Sequence, residues 1–165
     1  MKSAMATVNA YSEQSRDGDT SMKKHVLAVL AYVAATFITQ ATSHFVINAD
    51  HYAALTYLRK DPIFPLGFLS MLIQGSIFSY LYMRTSAARR SLLEAVKFSW
   101  LVGGALVSYI ALAEAAKYSV PAVVPWIAVE AGAGFVQFTF YGILLGFIHR
   151  ERKLSSALSH STAIQ

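Results

Sequence analysis

The sequence contains no cysteine, which excludes disulfides, thiolate catalysis and thiolate metal sites. Charge is scarce as well. Only 14% of the 165 residues are Asp, Glu, Lys or Arg, against about 25% in a soluble domain. With 55% hydrophobic residues and a mean hydropathy of +0.44, the balance points to a membrane. Nucleic-acid-binding motifs and interleaved basic and aromatic residues are missing, so the net charge of +5 does not mark a nucleic-acid partner. Proline is rare too. Its four positions are Pro62, Pro65, Pro121 and Pro125, at the starts of two apolar segments, where the first helical turn tolerates it.

The apolar residues form four segments, about 26–48, 63–83, 98–116 and 122–148, with 92–97 as a helical lead-in to the third. A spanning helix needs roughly 20 residues to cross about 30 Å, and each segment reaches or approaches that length. The expected fold class is therefore an all-α membrane protein, a four-helix transmembrane bundle running up-down-up-down. Short polar tails flank it, with residues 1–24 expected to be a mobile cytoplasmic tail and 150–165 a second one. Segment Asn48 to Lys60 is expected to hold a short interfacial helix capped by Asn48, because Tyr52, Leu55 and Leu58 recur on one side. The first segment also meets part of the signal-peptide pattern, with Lys23 and Lys24 ahead of it and Val33-Ala34-Ala35 within it. The long polar leader and the continuation of the apolar run past Ala35 argue against cleavage.

Orientation follows the basic residues beside the spans. Lys23, Lys24, Arg84, Arg89, Arg90, Arg150, Arg152 and Lys153 flank one side, and Arg59, Lys60 and Lys117 the other. This predicts an inner-membrane protein with both termini cytoplasmic. Tyr52, Tyr57, Tyr118 and Trp126 then fit an interfacial belt at the outer face. Small residues recur at helical spacing, as in Gly75/Ser79, Ala128/Gly132, Ala31/Ala35 and Gly104/Ser108/Ala111/Ala115, which predicts close helix contacts.

Polar groups inside the spans carry the functional signal. Gln40, His44, Asn48 and His51 follow steps of 4, 4 and 3, and Glu130, Gly134, Gln137 and Tyr141 steps of 4, 3 and 4. Each series shares a helix face. The predicted topology brings His44, Asn48, Glu114 and Glu130 to the outer half, with Gln74 and Gln137 extending the lining inward and Asp50 and His51 adding from the outer loop. An ionisable group in a span costs at least about 2.5–3.5 kcal/mol and is turned inward, paired or hydrated. The expectation is an outward-facing polar cavity that binds or translocates a proton, a cation or a small polar solute.

Blander readings stand beside it. Glu114 pairs with Lys117 and Glu94 with Lys97 at a spacing of three, His44 serves packing, and His25 and His149 sit at the interface. His44, Glu114 and Glu130 are the candidates for a divalent metal. Glu-x-x-His and His-Glu-x-x-His are both absent, so neither the di-iron nor the zincin pattern applies. No other cofactor is expected, and haem is disfavoured because the histidines lie at different depths. Two rival functions are an accessory subunit of a larger membrane complex and an enzyme acting on a lipid-like substrate. No nucleophile constellation favours the enzyme. Expected partners are the bilayer and either further copies of the chain or a larger complex.

Overall fold

The computed structural model describes residues 2–59, 61–85 and 91–150, and of residues 2–17 the backbone alone. Among the described residues there is helix and no strand. Helix α1 (Lys2–Thr42) passes into a π-helical turn (Ser43–Ile47) and the short α2 (Ala49–Ala53). Helix α3 covers Phe64–Thr85. Helix α4 (Leu92–Ser108) passes through a second π-helical segment (Tyr109–Glu114) into α5 (Ala115–Lys117), and α6 covers Val123–His149. Four stretches are long and apolar enough to cross a membrane: Gly18–Ile47, Phe64–Thr85, Leu92–Lys117 and Val123–His149.

Local chemistry sets these boundaries. Ser91 caps α4 by accepting from the Glu94 amide at 3.2 Å, the first half of a capping box. Glu94 also pairs with Lys97 at 3.1 Å on the exposed side, so the lead-in belongs to the third span. Helix α1 continues back through residues 2–24, where the polar composition predicts a mobile tail. An exposed Lys23–Asp19 pair at 2.6 Å, four residues apart, supports that helix just ahead of its apolar stretch. Asn48 stands at the N-cap position of α2 but makes no side-chain cap. Its amide donates instead to Ser43 Oγ at 3.0 Å.

Helix α6 is the hub. It packs on α4 and on α1, α1 also carries α3, and α3 and α4 barely meet. The apolar core joins Tyr32, Phe78, Phe138 and Tyr141, with the Tyr32 ring edge-on to Phe78 at 5.3 Å and to Tyr141 at 5.0 Å. His149, expected at the interface, is instead buried with its ring 5.0 Å from Tyr82. His25 Nδ1 and Ser79 Oγ lie 2.9 Å apart, joining α1 to α3 at this same end.

The α4 backbone comes against α6 at Gly142, where an added Cβ would stand 2.7 Å from Val96 Cα. In hydrocarbon, backbone approach of this kind replaces the hydrophobic force between helices. Sequence spacing finds part of this. Gly75 and Ser79 are buried, whereas Gly104 and Gly132 face open space. Gly142→Val is expected to destabilise the protein by about 1–3 kcal/mol, read as a lower Tm in detergent. Gly104→Ala should leave Tm unchanged or slightly raised. Equal Tm values for Gly142→Val and the parent would contradict the contact.

Candidate functional site

Both π-helical segments lie at one end of the bundle, together with α2 and the start of α6. A π turn adds a residue to the helical turn and re-aims the side chains after it, and such turns occur often at functional sites. At the first, the Asn48 amide reaches Ser43 O at 2.8 Å. At the second, Ile110 O accepts from Trp126 Nε1 at 3.3 Å. The second turn also breaks the pairing expected from sequence. Lys117 Nζ donates to Tyr109 Oη at 2.8 Å and sits 4.6 Å from that ring, while Glu114 forms no ion pair among the described residues.

Between these turns lies Glu130, 7% exposed. Its Oε1 accepts the phenolic proton of the equally buried Tyr52 at 2.6 Å. The Tyr52 ring lies flat on His44, with centroids 3.7 Å apart and planes 14° from parallel. His44 Nδ1 is 2.9 Å from the Gln40 carbonyl. A carbonyl only accepts, so Nδ1 carries the proton and Nε2 is the basic nitrogen of the neutral ring. His51 packs edge-on to Tyr52 at 5.4 Å and 6.0 Å from Trp126. Its buried Nε2 has no hydrogen-bond partner among the described residues.

Of the residues chosen from sequence, His44, His51 and Glu130 meet around Tyr52. Asn48 turns away to Ser43. Glu114 is half-buried and Asp50 exposed. Gln137 lies deeper, where Gln40 Nε2 donates to its Oε1 at 2.7 Å and its own Nε2 donates to Thr36 Oγ1 at 2.9 Å. Gln74 belongs to another group, accepting from Tyr32 Oη at 2.5 Å and donating to Ser70 at 3.0 Å.

Between His44 and Glu130, where an open polar cavity is expected, lies Tyr52, with its ring on His44 and its hydroxyl on Glu130. Tyr52 and Trp126 are core residues of this end, with Leu55, rather than members of an interfacial belt. Tyr57 and Tyr118 are exposed and stacked at 5.3 Å, as a belt would have them. Among the described residues no three His, Asp or Glu side chains converge as a metal cage would require. Tyr52 and Ser43 are the site residues that sequence spacing misses. The available signal was that Glu130 has no basic neighbour within a turn and needs a donor from elsewhere.

The carboxylates also act on the loop tyrosines. Burial, then the hydrogen bond to Glu130 and its charge, push the Tyr52 phenol up. Burial, then Glu114 and Glu130, push the exposed Tyr57 phenol up. No known protein family, curated protein or solved structure matches this chain.

Two outcomes follow. Tyr52→Phe removes the donor from a buried acceptor and is expected to cost about 1–3 kcal/mol in thermal unfolding; a loss within error would mean that Glu130 finds another donor. Phenols raised in the folded protein hold their protons longer than unfolded ones. Stability from them is therefore complete below about pH 10 and falls as pH rises toward the folded values. Tyrosinate absorbance of Glu114→Gln should show Tyr57 ionising at lower pH than in the parent, and an unchanged titration would place Glu114 out of its reach.

Proposed function

We propose that this is a small integral membrane protein that takes up and passes a proton by a relay of two carriers, Glu130 and His44, with Tyr52 set between them. The spans cross up-down-up-down in the inner membrane with both termini cytoplasmic, so the relay faces outward. The observation that carries the reading is the Tyr52–Glu130 hydrogen bond of 2.6 Å at a buried carboxyl that forms no ion pair among the described residues. A permanent structural carboxylate inside a span is normally neutralised by a cation. A carboxyl held by a hydroxyl, beside a histidine with one basic nitrogen, can gain and lose a proton without breaking a salt bridge.

Roles follow from position. Glu130 is the exchanging group, and Tyr52 orients it and separates it from His44. His44 is the second proton carrier, while His51, Glu114 and Asp50 shape the approach. The glutamine pair Gln40–Gln137, with Thr36, continues the polar line from this end toward mid-membrane. A proton fits the closed packing around Tyr52 better than a hydrated cation or a larger solute.

The accessory-subunit reading has one observation in its favour. Residues 61–70 of the α3 side are exposed on every face, as a helix awaiting partners would be. Reconstitution in liposomes with an internal pH-sensitive dye separates the two. Glu130→Gln is expected to reduce proton uptake by roughly a hundredfold, with a smaller loss for His44→Ala. Full uptake in the Glu130→Gln/His44→Ala double variant would sink the relay and leave the accessory role.

A further inference from the structure

A cavity of about 600 Å³ opens between the end of α1 and the first half of α6, lined by residues apart from the Tyr52–Glu130 pair. Its volume falls within the roughly 300–1,000 Å³ of small-molecule sites. The two walls differ in chemistry. On the α6 side Ala128, Gly132, Val136 and Phe140 are apolar, and on the side of α1 and its π turn Thr39, Thr42, Ser43 and Asn48 stand among the apolar Ile38 and Ile47.

The polar groups on that mixed side are under-satisfied. A helical threonine in an apolar setting usually returns its hydroxyl to the preceding turn. Thr85 and Thr139 do so here, to Leu81 O at 3.0 Å and Phe135 O at 2.7 Å. Among the described residues Thr39 and Thr42 make no such bond, and the Asn48 side chain has only its amide engaged, on Ser43. Hydroxyls and a carbonyl oxygen facing hydrocarbon without partners are costly. The cavity therefore calls for an occupant with its own hydrogen-bonding groups at the Asn48 end and an apolar body beyond.

Length narrows the choice. The lining runs from Ile38 near the end of α1 to Asn48 just past its π turn, about 15 Å at 1.5 Å per residue. That is half of a hydrocarbon core of about 30 Å, the depth of one leaflet. A helix from a second copy would bring a cylinder about 10 Å wide and mostly apolar side chains, leaving the α1 wall unmet.

We infer that this cavity holds one glycerolipid of the leaflet at the Glu130 end. Its head hydrogen-bonds Thr42 and Asn48, and one acyl chain runs along Val136 to Phe140.

The test uses the full chain in nanodiscs doped with a phosphatidylglycerol that carries a diazirine in one acyl chain. After illumination, labelled peptides should concentrate on residues 38–48 and 128–140. Gly132→Trp fills the cavity from a position where an added Cβ meets nothing within 4 Å, so the helices need not move. It should cut labelling about tenfold, equivalent to about 1.4 kcal/mol of affinity. Thr42→Val/Asn48→Leu leaves the cavity open and should cut it several-fold, which keeps the proposal testable if the tryptophan variant misfolds by circular dichroism. Labelling spread evenly over the four spans would show ordinary annular lipid and overturn the assignment. So would undiminished labelling in a folded Gly132→Trp. Loss of a dimer by Gly132→Trp without loss of lipid labelling would overturn it in favour of a seam between copies.

Discussion

The hydrogen bond from Tyr52 to Glu130 ties a loop residue to a spanning helix across 78 residues of sequence, and the arrangement of that whole end depends on it. Hydrocarbon offers no solvent to a buried carboxyl, so the chain must bring a donor to it. The donor arrives on α2, a helix of five residues that would have little reason to form alone. Once Tyr52 is in place its ring covers His44, and Leu55 and Trp126 close around it. The same side chain thus buries this small apolar cluster with its ring and satisfies the carboxyl with its hydroxyl.

Away from that end, α6 does most of the joining. It meets α4 through small residues, with Gly142 against Val96 and Ser99 Oγ bonded to Phe138 O at 2.6 Å. It meets α1 through Gln137, which bonds Gln40 and Thr36 together. Interhelical bonds in membranes average about 0.6 kcal/mol, so the glutamine pair fixes register more than it adds stability. Close packing on one side and polar register on the other leave α6 little freedom to rotate. That restriction is what keeps Glu130 aimed at Tyr52.

Much of this was legible in the sequence and some was not, for physical reasons. Apolar length identifies the four spans because backbone satisfaction in lipid forces helices. Depth along each span brings Glu130 and His44 to one end without any knowledge of contacts. Periodicity assumes 3.6 residues per turn throughout, and it fails where the helix departs from that. Lys117 is three residues beyond Glu114 and should face it, yet the π segment at Tyr109–Glu114 lies just before and Lys117 bonds Tyr109. Tyr52 is hidden for a different reason. Tyrosine beside a span reads equally well as an interfacial anchor or as a core donor, and only the position of Glu130 decides between them. The glycine stripes divide similarly, since spacing marks small residues without saying which side of the helix has a neighbour.

The two π segments connect these points. Intrahelical bonding of the π type is rare, and its recurrence often marks a site whose side chains must be re-aimed. Here both lie within one cluster of elements, one beside His44 and one beside Glu114. At the first, Ser43 accepts from Asn48 and lines the cavity between α1 and α6, while the next residue, His44, turns to Tyr52. Adjacent residues of this turn thus serve different surroundings, one the cavity and one the Tyr52–Glu130 pair. At the second, the Ile110 carbonyl accepts from Trp126, which holds the start of α6 four residues before Glu130. The departures from regular helix are therefore spent on the two residues between which Tyr52 sits, and regular α-helix suffices for the rest of each span.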